Sequence, residues 1–169
     1  MENKISNLIE IYGKGVRILV YLLGIISAIA LLFIVIIVMA DVIGRFLGSG
    51  IRGSMDYVRL ASAVVLGGAL PYTTAVKGHI AIEFLFRRIS KVQKVIIDTI
   101  SRLMMLTLFI LIIYFMIKHG LSLYRSGEVT STVQLPVYWV PFWLALSFAV
   151  TSLVKIYHIL HPGKELIKP

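Results

Sequence analysis

Three things are scarce in this sequence: cysteine, acidic residues, and charge inside its longest apolar runs. The chain of 169 residues has no cysteine, and it has 8 acidic residues against 17 lysines and arginines. The lack of cysteine excludes disulfide bonds, thiolate nucleophiles and sulfur-ligated metal sites. No Asp, Glu, Lys or Arg interrupts the four longest apolar runs. Membrane pumps and membrane enzymes commonly carry such residues at mid-membrane depth, so we expect little chemistry there.

The composition of the chain is that of a membrane protein. Hydrophobic residues make up 59% of the chain and charged residues 15%, and the mean hydropathy is +0.93. Because a soluble domain is about 25% charged, we predict an all-α integral membrane protein. The runs are continuous rather than alternating and reach about 20 residues, as spanning helices do. The predicted spans cover residues 18–45, 56–76, 95–119 and 138–158 within a single domain of residues 1–169.

The basic residues are distributed unevenly along the chain. Twelve of the 17 lie in the N-terminal segment, in the connection between the second and third spans, and in the C-terminal segment. The other five flank the two remaining connections. By the positive-inside rule both termini and the middle connection are cytoplasmic. The net charge of +9 is therefore interpreted as a topology signal and a contact with anionic lipid, and no nucleic-acid partner is expected.

The middle connection has an amphipathic pattern. Over residues 79–94, apolar side chains fall on one helical face and basic side chains on the other. This pattern predicts a helix lying in the cytoplasmic-side membrane interface; the alternative is a cytoplasmic extension of the third span. Aromatic residues at the start of the fourth span predict an interfacial belt. The residues expected to contact lipid headgroups are Arg87, Arg88, Lys91, Lys94, Trp139 and Trp143.

The second span is rich in small residues. Ala63, Gly67 and Gly68 recur at helical spacing, which favours close approach of neighbouring helices. Pro71 stands inside the same span, where it bends the helix and frees a carbonyl about one turn earlier. The alternative interpretation is the ordinary small-residue content of a membrane helix.

Four charged residues are expected to gather where the first two spans meet. Asp41 and Arg45 are four residues apart and share a helical face, and Asp56 and Arg59 are three apart. The short link at residues 48–53 brings the two pairs side by side. We predict a structural cluster in which these charges neutralise one another, and not a catalytic pair of carboxylates.

Several short motifs resemble those of a known family. The run DVIGRF at residues 41–46 is similar to the D-V-x-x-R-F that closes the first helix in the small membrane subunit (Q-type) of tripartite ATP-independent periplasmic (TRAP) transporters. The family's W-x-E-E-x-x-R motif corresponds to residues 53–59, where the later acid and the arginine match. Gly53 replaces the tryptophan of that motif, and Met55 replaces its first glutamate.

The resemblance continues along the chain in the same order. Residues 66–69 are similar to the family's L-G-A-A, and residues 78–83 to its G-G-H-I-x-V-D, with Glu for Asp. The matches at the start of the fourth span are Ser131, Leu135, Pro136, Trp139 and Pro141.

This resemblance implies a function. In that family a periplasmic binding protein captures an organic acid, such as sialic acid or a dicarboxylate, and a large membrane subunit transports it with sodium. The small subunit is a scaffold, which implies a bacterial inner-membrane protein with no catalytic site, cofactor or metal. Its expected partners are the large subunit, the binding protein and membrane lipids. The candidate periplasmic partner contacts are Arg52, Arg125, Ser131 and Pro136.

Two other functions fit a small four-span protein. The first is a membrane anchor in a redox or export complex, and the second is a self-assembling exporter. A haem-binding anchor would need two histidines facing one haem, whereas His119 and His158 are predicted at opposite membrane faces. A proton-coupled exporter would need a mid-membrane carboxylate, and Asp41 is too near the interface.

Overall fold

Four α-helices account for almost all of the residues that the structure describes. The computed structural model describes residues 2–76 and 91–160. Outside the helices, the described residues form turns and a single antiparallel bridge between Val129 and Pro136. The predicted all-α fold is confirmed to this extent. In chain order the helices are α1 (Glu2–Phe46), α2 (Ser54–Ala75), α3 (Lys91–Ser126) and α4 (Trp139–Leu160).

Of the four helices in the described part of the chain, three are long and apolar enough to cross a membrane. They are the parts of α1, α3 and α4 at Tyr12–Phe46, Leu103–Ser126 and Trp139–Tyr157. The helix α2 is not one of them, although we predicted four spans, and the reason is its composition. Its 22 residues could cover about 33 Å, but glycines, threonines and a proline dilute its apolar run.

Two helices extend beyond the predicted spans. The helix α1 begins at Glu2, whereas its predicted span begins at residue 18. The helix α3 begins at Lys91 and runs to Ser126, seven residues past the predicted end. Residues 91–94 of the predicted interfacial segment therefore belong to α3, and the rest of that segment, including Arg87 and Arg88, lies outside the described residues.

A glycine ends α3 in a recognisable way. Gly127 has a φ of 65°, and the N–H of Glu128 donates to the carbonyl of Leu123 at 3.4 Å. This is the bond pattern of a Schellman motif, in which a left-handed residue stops the helix. Between residues 119 and 126 there is no proline, so the helix continues past Lys118 until this glycine.

The helix α2 lies in the centre of the arrangement. It packs against both α1 and α4, and α3 packs against α4. The buried apolar core consists of Val16, Val20, Leu23, Ala75, Val150 and Val154, from α1, α2 and α4. The core lies at the end of the helices opposite the α1–α2 and α3–α4 connections, where the Tyr12 hydroxyl donates to the Leu153 carbonyl at 2.9 Å.

Most large apolar side chains of α1 and α3 lie on the outside. Ile36 and Leu32 of α1 are 66% and 63% exposed, and Leu103 and Met104 of α3 are 67% and 69% exposed. In water such a surface would be costly, at roughly 25 cal/mol per Å² of apolar area. The exterior therefore fits lipid tails or the apolar surface of another membrane protein.

Candidate partner interface at the loop end of the bundle

The helices α1 and α2 are joined by a tight loop that a glycine makes possible. Gly48 has a φ of 89°, a conformation that residues with a side chain rarely adopt. The N–H of Ser49 donates to the Gly44 carbonyl at 2.8 Å, and that of Gly48 to the Arg45 carbonyl at 3.1 Å. These two bonds complete a Schellman motif that ends α1 and turns the chain back toward α2.

Asp41 fixes this loop from inside α1. One of its carboxylate oxygens accepts the N–H of Ile51 at 2.8 Å, and the other accepts the hydroxyl of Ser54 at 3.0 Å. The guanidinium of Arg45 lies 2.7 Å from the second oxygen. Charge-assisted hydrogen bonds of this kind are about twice as strong as neutral ones. The side chain of Asp41 is thus fully engaged by the end of α1, the loop and the start of α2.

Asp56 binds a different loop. One of its carboxylate oxygens accepts the backbone N–H groups of Thr132 and Val133, at 2.8 and 2.9 Å. Both donors belong to the loop between α3 and α4, some 76 residues further along the chain. Gly53 allows the contact, because a Cβ atom there would collide with the side chain of Val133. Asp56 therefore holds the α3–α4 loop on the beginning of α2.

The α3–α4 loop is also ordered by its own hydrogen bonds. The N–H of Thr130 donates to the carbonyl of Leu135 at 2.9 Å, and the N–H of Leu135 donates back to the Thr130 hydroxyl at 3.1 Å. Thr130 is buried. Gln134 at the turn has a φ of 57°, which is uncommon for a residue other than glycine. We call this loop, residues 127–138, and the α1–α2 loop, residues 47–53, the loop end of the bundle.

The four charged residues that we predicted to form one cluster form two separate sets of contacts, one with each loop. Asp41 and Arg45 form an ion pair, as their spacing predicted. The carboxylate of Asp56 accepts hydrogen bonds from backbone N–H groups. Arg59, which is exposed, interacts with Asp56 through electrostatic attraction. Sequence reasoning missed Thr132 and Val133 as the partners of Asp56, and no local pattern could have found donors so distant in the chain.

The candidate partner contacts lie around these loops. Arg52 belongs to the α1–α2 loop, Ser131 and Pro136 to the α3–α4 loop, and Arg125 to the last turn of α3. All four are exposed. Asp41 and Asp56 each hold one of the two loops in place without using any of these side chains, which remain exposed.

Glycines of α2 are the points where its neighbours approach most closely. A Cβ atom at Gly68 would lie 2.5 Å from the carbonyl oxygen of Leu23 in α1. A Cβ atom at Gly67 would lie 2.6 Å from the indole nitrogen of Trp143 in α4. Only hydrogen can occupy these positions, as close packing of membrane helices requires. Ala63 is half-buried.

Two backbone carbonyls of α2 accept hydrogen bonds from side chains of the helices on either side of it. The indole N–H of Trp143 donates to the Val64 carbonyl at 3.2 Å, and the hydroxyl of Ser27 donates to the Val65 carbonyl at 2.8 Å. The polar end of Trp143 is thus directed at α2, although we predicted that this residue would contact headgroups. The sequence pattern could not distinguish the two, because a tryptophan near a helix end fits either role.

An apolar groove runs between α1, α2 and α4 near the loop end. Its volume is about 370 Å³. Trp139, the other predicted belt residue, lines it together with Tyr57. The remaining lining residues are Ile26, Ile29, Ala30, Phe33, Leu60, Ala61 and Val64.

Comparison with known families adds a direct finding. The family described as "Tripartite ATP-independent periplasmic transporters, DctQ component" matches residues 34–163. The chain belongs to this family. The matched region contains both loops, Asp41, Asp56 and all of α2, α3 and α4. No curated protein and no solved structure matches the chain.

Membership makes this chain the small membrane subunit of a TRAP transporter. The family is a transporter component, not a family of enzymes. A tripartite transporter implies two further components.

Proposed function

We propose that this chain is the scaffold subunit of a sodium-coupled secondary transporter that imports an organic acid, such as sialic acid or a dicarboxylate. It binds the large membrane subunit and helps to dock the periplasmic substrate-binding protein. The match to the DctQ component over residues 34–163 is the observation that carries this proposal, and three features of the structure support it.

The first feature is the hydrogen bonding of the two carboxylates at the loop end. Asp41 accepts from three donors and Asp56 from two. A sodium ion would have to displace those donors before it could use the carboxylate of Asp41 or the bonded oxygen of Asp56. Substrate and sodium binding are accordingly assigned to the large subunit.

The second feature is the apolar exterior of α1 and α3. Exposed leucine, isoleucine and phenylalanine side chains cover most of both helices. The exterior of α1 suits contact with the large membrane subunit, and that of α3 suits lipid. A subunit that supplies surface rather than a transport pathway needs such an exterior and no polar cavity.

The third feature is the order of the loop end. Because Asp56 and the internal bonds of residues 127–138 hold the loop in place, docking loses little conformational entropy there. Exposed Arg52 and Ser131 lie on this surface. Arginines at the rim would attract an acidic binding protein, an effect expected mainly on the association rate and its salt dependence.

We also propose the bacterial inner membrane as its location, with both termini cytoplasmic and the loop end periplasmic. In this arrangement α2 crosses the membrane between α1 and α4. Its low hydropathy is offset by the bonds from Ser27 and Trp143, since polar backbone groups in lipid must be satisfied within the protein.

Reconstitution tests the proposed function. The chain is purified alone and together with the large subunit, and sodium-driven uptake into proteoliposomes is measured with added binding protein. We expect uptake only when all three components are present, and no substrate binding by the chain alone. Arg52→Ala should raise the concentration of binding protein needed for half-maximal uptake without changing the sodium dependence. Substrate binding by the purified chain would overturn the scaffold assignment.

A further inference from the structure

The helix α3 has one face packed on α4 and an opposite face directed away from the rest of the described chain. Phe109 packs against Phe148, with ring centroids 5.6 Å apart, and Gly120 accommodates the ring of Phe142. With 3.6 residues per turn, the positions opposite to these form a single stripe. The outward face of α3 comprises Leu111, Tyr114, Lys118, Leu121 and Arg125, all of which are exposed.

The uncharged run of α3 is shorter than a hydrocarbon layer. It covers residues 103–117, between Arg102 and Lys118, whereas a hydrocarbon layer takes about 20 helical residues. The layer therefore reaches the cations that border this run. Lys118 borders it on the side of the loop end, and Arg125 lies about 10 Å beyond Lys118 along the helix.

The two charged side chains of this face are both basic. Residues 99–126 contain no Asp or Glu, so this part of α3 supplies no carboxylate. The acid that follows in the sequence, Glu128, belongs to the α3–α4 loop, three residues after Arg125. A lysine at the edge of the hydrocarbon layer is costly unless its ammonium group reaches the interface. Its four-carbon stem can lie along the helix while the ammonium group extends to headgroup level, beside Arg125. Two cations at that level complement the phosphate of a phospholipid.

The apolar part of the face favours lipid over another helix. At three of the closest helix contacts a glycine receives the partner: Gly68 receives α1, Gly67 receives α4, and Gly120 receives Phe142. The five residues that define the outward face of α3 include no glycine or alanine, and exposed Ser122 is the small residue at its edge. Its large side chains, with Tyr114 at 60% and Leu111 at 49% exposure, suit flexible acyl chains better than a close helix–helix contact.

We propose that the outward face of α3 binds a phospholipid of the leaflet at the loop end. Lys118 and Arg125 contact its phosphate, and an acyl chain lies along Leu111 and Tyr114. This site is on the side of the membrane opposite the predicted cytoplasmic basic segment. It is independent of the proposed transport function, because lipid binding is measured on the purified chain.

Native mass spectrometry of the full chain tests the proposal. Binding of phosphatidylglycerol is compared with that of a diacylglycerol with the same acyl chains, and with inorganic phosphate. We expect the wild-type chain to retain phosphatidylglycerol well above either control. Lys118→Leu should weaken this binding about fivefold, as expected for one cation near a lipid surface. Lys118→Arg should preserve it, and Arg52→Leu, which removes a charge at the same end but outside α3, should leave it unchanged.

Three outcomes would overturn the proposal. In the first, Lys118→Leu binds phosphatidylglycerol as well as the wild type does. In the second, diacylglycerol binds equally well, so that the phosphate is irrelevant. In the third, Lys118→Leu reduces co-purification of the large subunit while lipid binding is unchanged, which would make the face a protein interface. Lys118→Arg keeps the positive charge. If this variant binds phosphatidylglycerol normally while Lys118→Leu does not, the loss of binding is due to the missing charge and not to a failure to fold.

Discussion

The hydroxyl of Ser147 in α4 donates a hydrogen bond to the carbonyl of Gly67 in α2. In an uninterrupted helix that carbonyl would accept the N–H of residue 71, but residue 71 is a proline and has no N–H. Ser147 is fully buried, and a free carbonyl in lipid or in a protein core is costly. The donor that α2 lacks at Pro71 is therefore replaced by a side chain of a neighbouring helix, 80 residues away.

This relationship predicts an effect of Ser147→Ala. Removal of the hydroxyl leaves the Gly67 carbonyl buried without its donor, which should lower the free energy of unfolding by about 1–3 kcal/mol. The measurement is unfolding of the purified chain in detergent. Thr107→Ala is the matched control, since the Thr107 hydroxyl bonds only to Leu103 within its own helix and is exposed.

A double-mutant cycle makes the test specific. Pro71→Ala returns an N–H to α2, so Ser147→Ala should cost less in the Pro71→Ala background than in the wild type. Equal costs in the two backgrounds would show that Ser147 does not compensate for the proline.

The hydrogen bonds that Asp56 accepts predict a change in hydrogen exchange that is confined to one loop. In Asp56→Ala the amides of Thr132 and Val133 lose their acceptor, and exchange at both should accelerate because local opening becomes easier. The amide of Ile51, which binds Asp41, should be unaffected. Asp41→Ala is the reciprocal control and should accelerate exchange at Ile51 alone. Uniform acceleration across both loops in either variant would contradict separate roles for the two acids.

Glycine substitutions distinguish contact positions from ordinary ones. Gly68→Ala places a methyl group against the Leu23 carbonyl and should destabilise the chain by about 1–3 kcal/mol, as overpacking does. Gly15→Ala in α1 meets nothing within 4 Å and should be neutral or stabilising by about 0.5–1 kcal/mol. Thermal unfolding of the two variants measures the difference, and similar stabilities would refute close packing at Gly68.

Cysteine labelling tests the membrane topology, and the chain has no native cysteine to interfere. Ser49→Cys and Ser131→Cys lie in the two loops that meet at the loop end, so both should react with an impermeant maleimide added outside. Ser90→Cys, in the predicted cytoplasmic connection, should react only after the membrane is permeabilised. Labelling of Ser49→Cys and Ser131→Cys from opposite sides would mean that α2 does not cross the membrane as proposed.

Local sequence patterns predicted the features that depend on neighbouring residues. The continuous apolar runs predicted helices, because backbone groups in such segments must bond within the segment. The spacing of Asp41 and Arg45 predicted their ion pair, since residues four apart on a helix share a face. The proline at residue 71 predicted a freed carbonyl one turn earlier. Each of these follows from helix geometry alone.

The tertiary structure decided which distant groups meet. The sequence offered no means of pairing Gly67 with Ser147, or Asp56 with Thr132 and Val133, because those pairs depend on which helix faces pack together. The end of α3 at Ser126 likewise depended on a glycine conformation and not on where the apolar run stops. Helix formation is determined by contacts three or four residues apart, whereas these partners, 76 to 80 residues apart, are fixed only once α2 lies between α1 and α4.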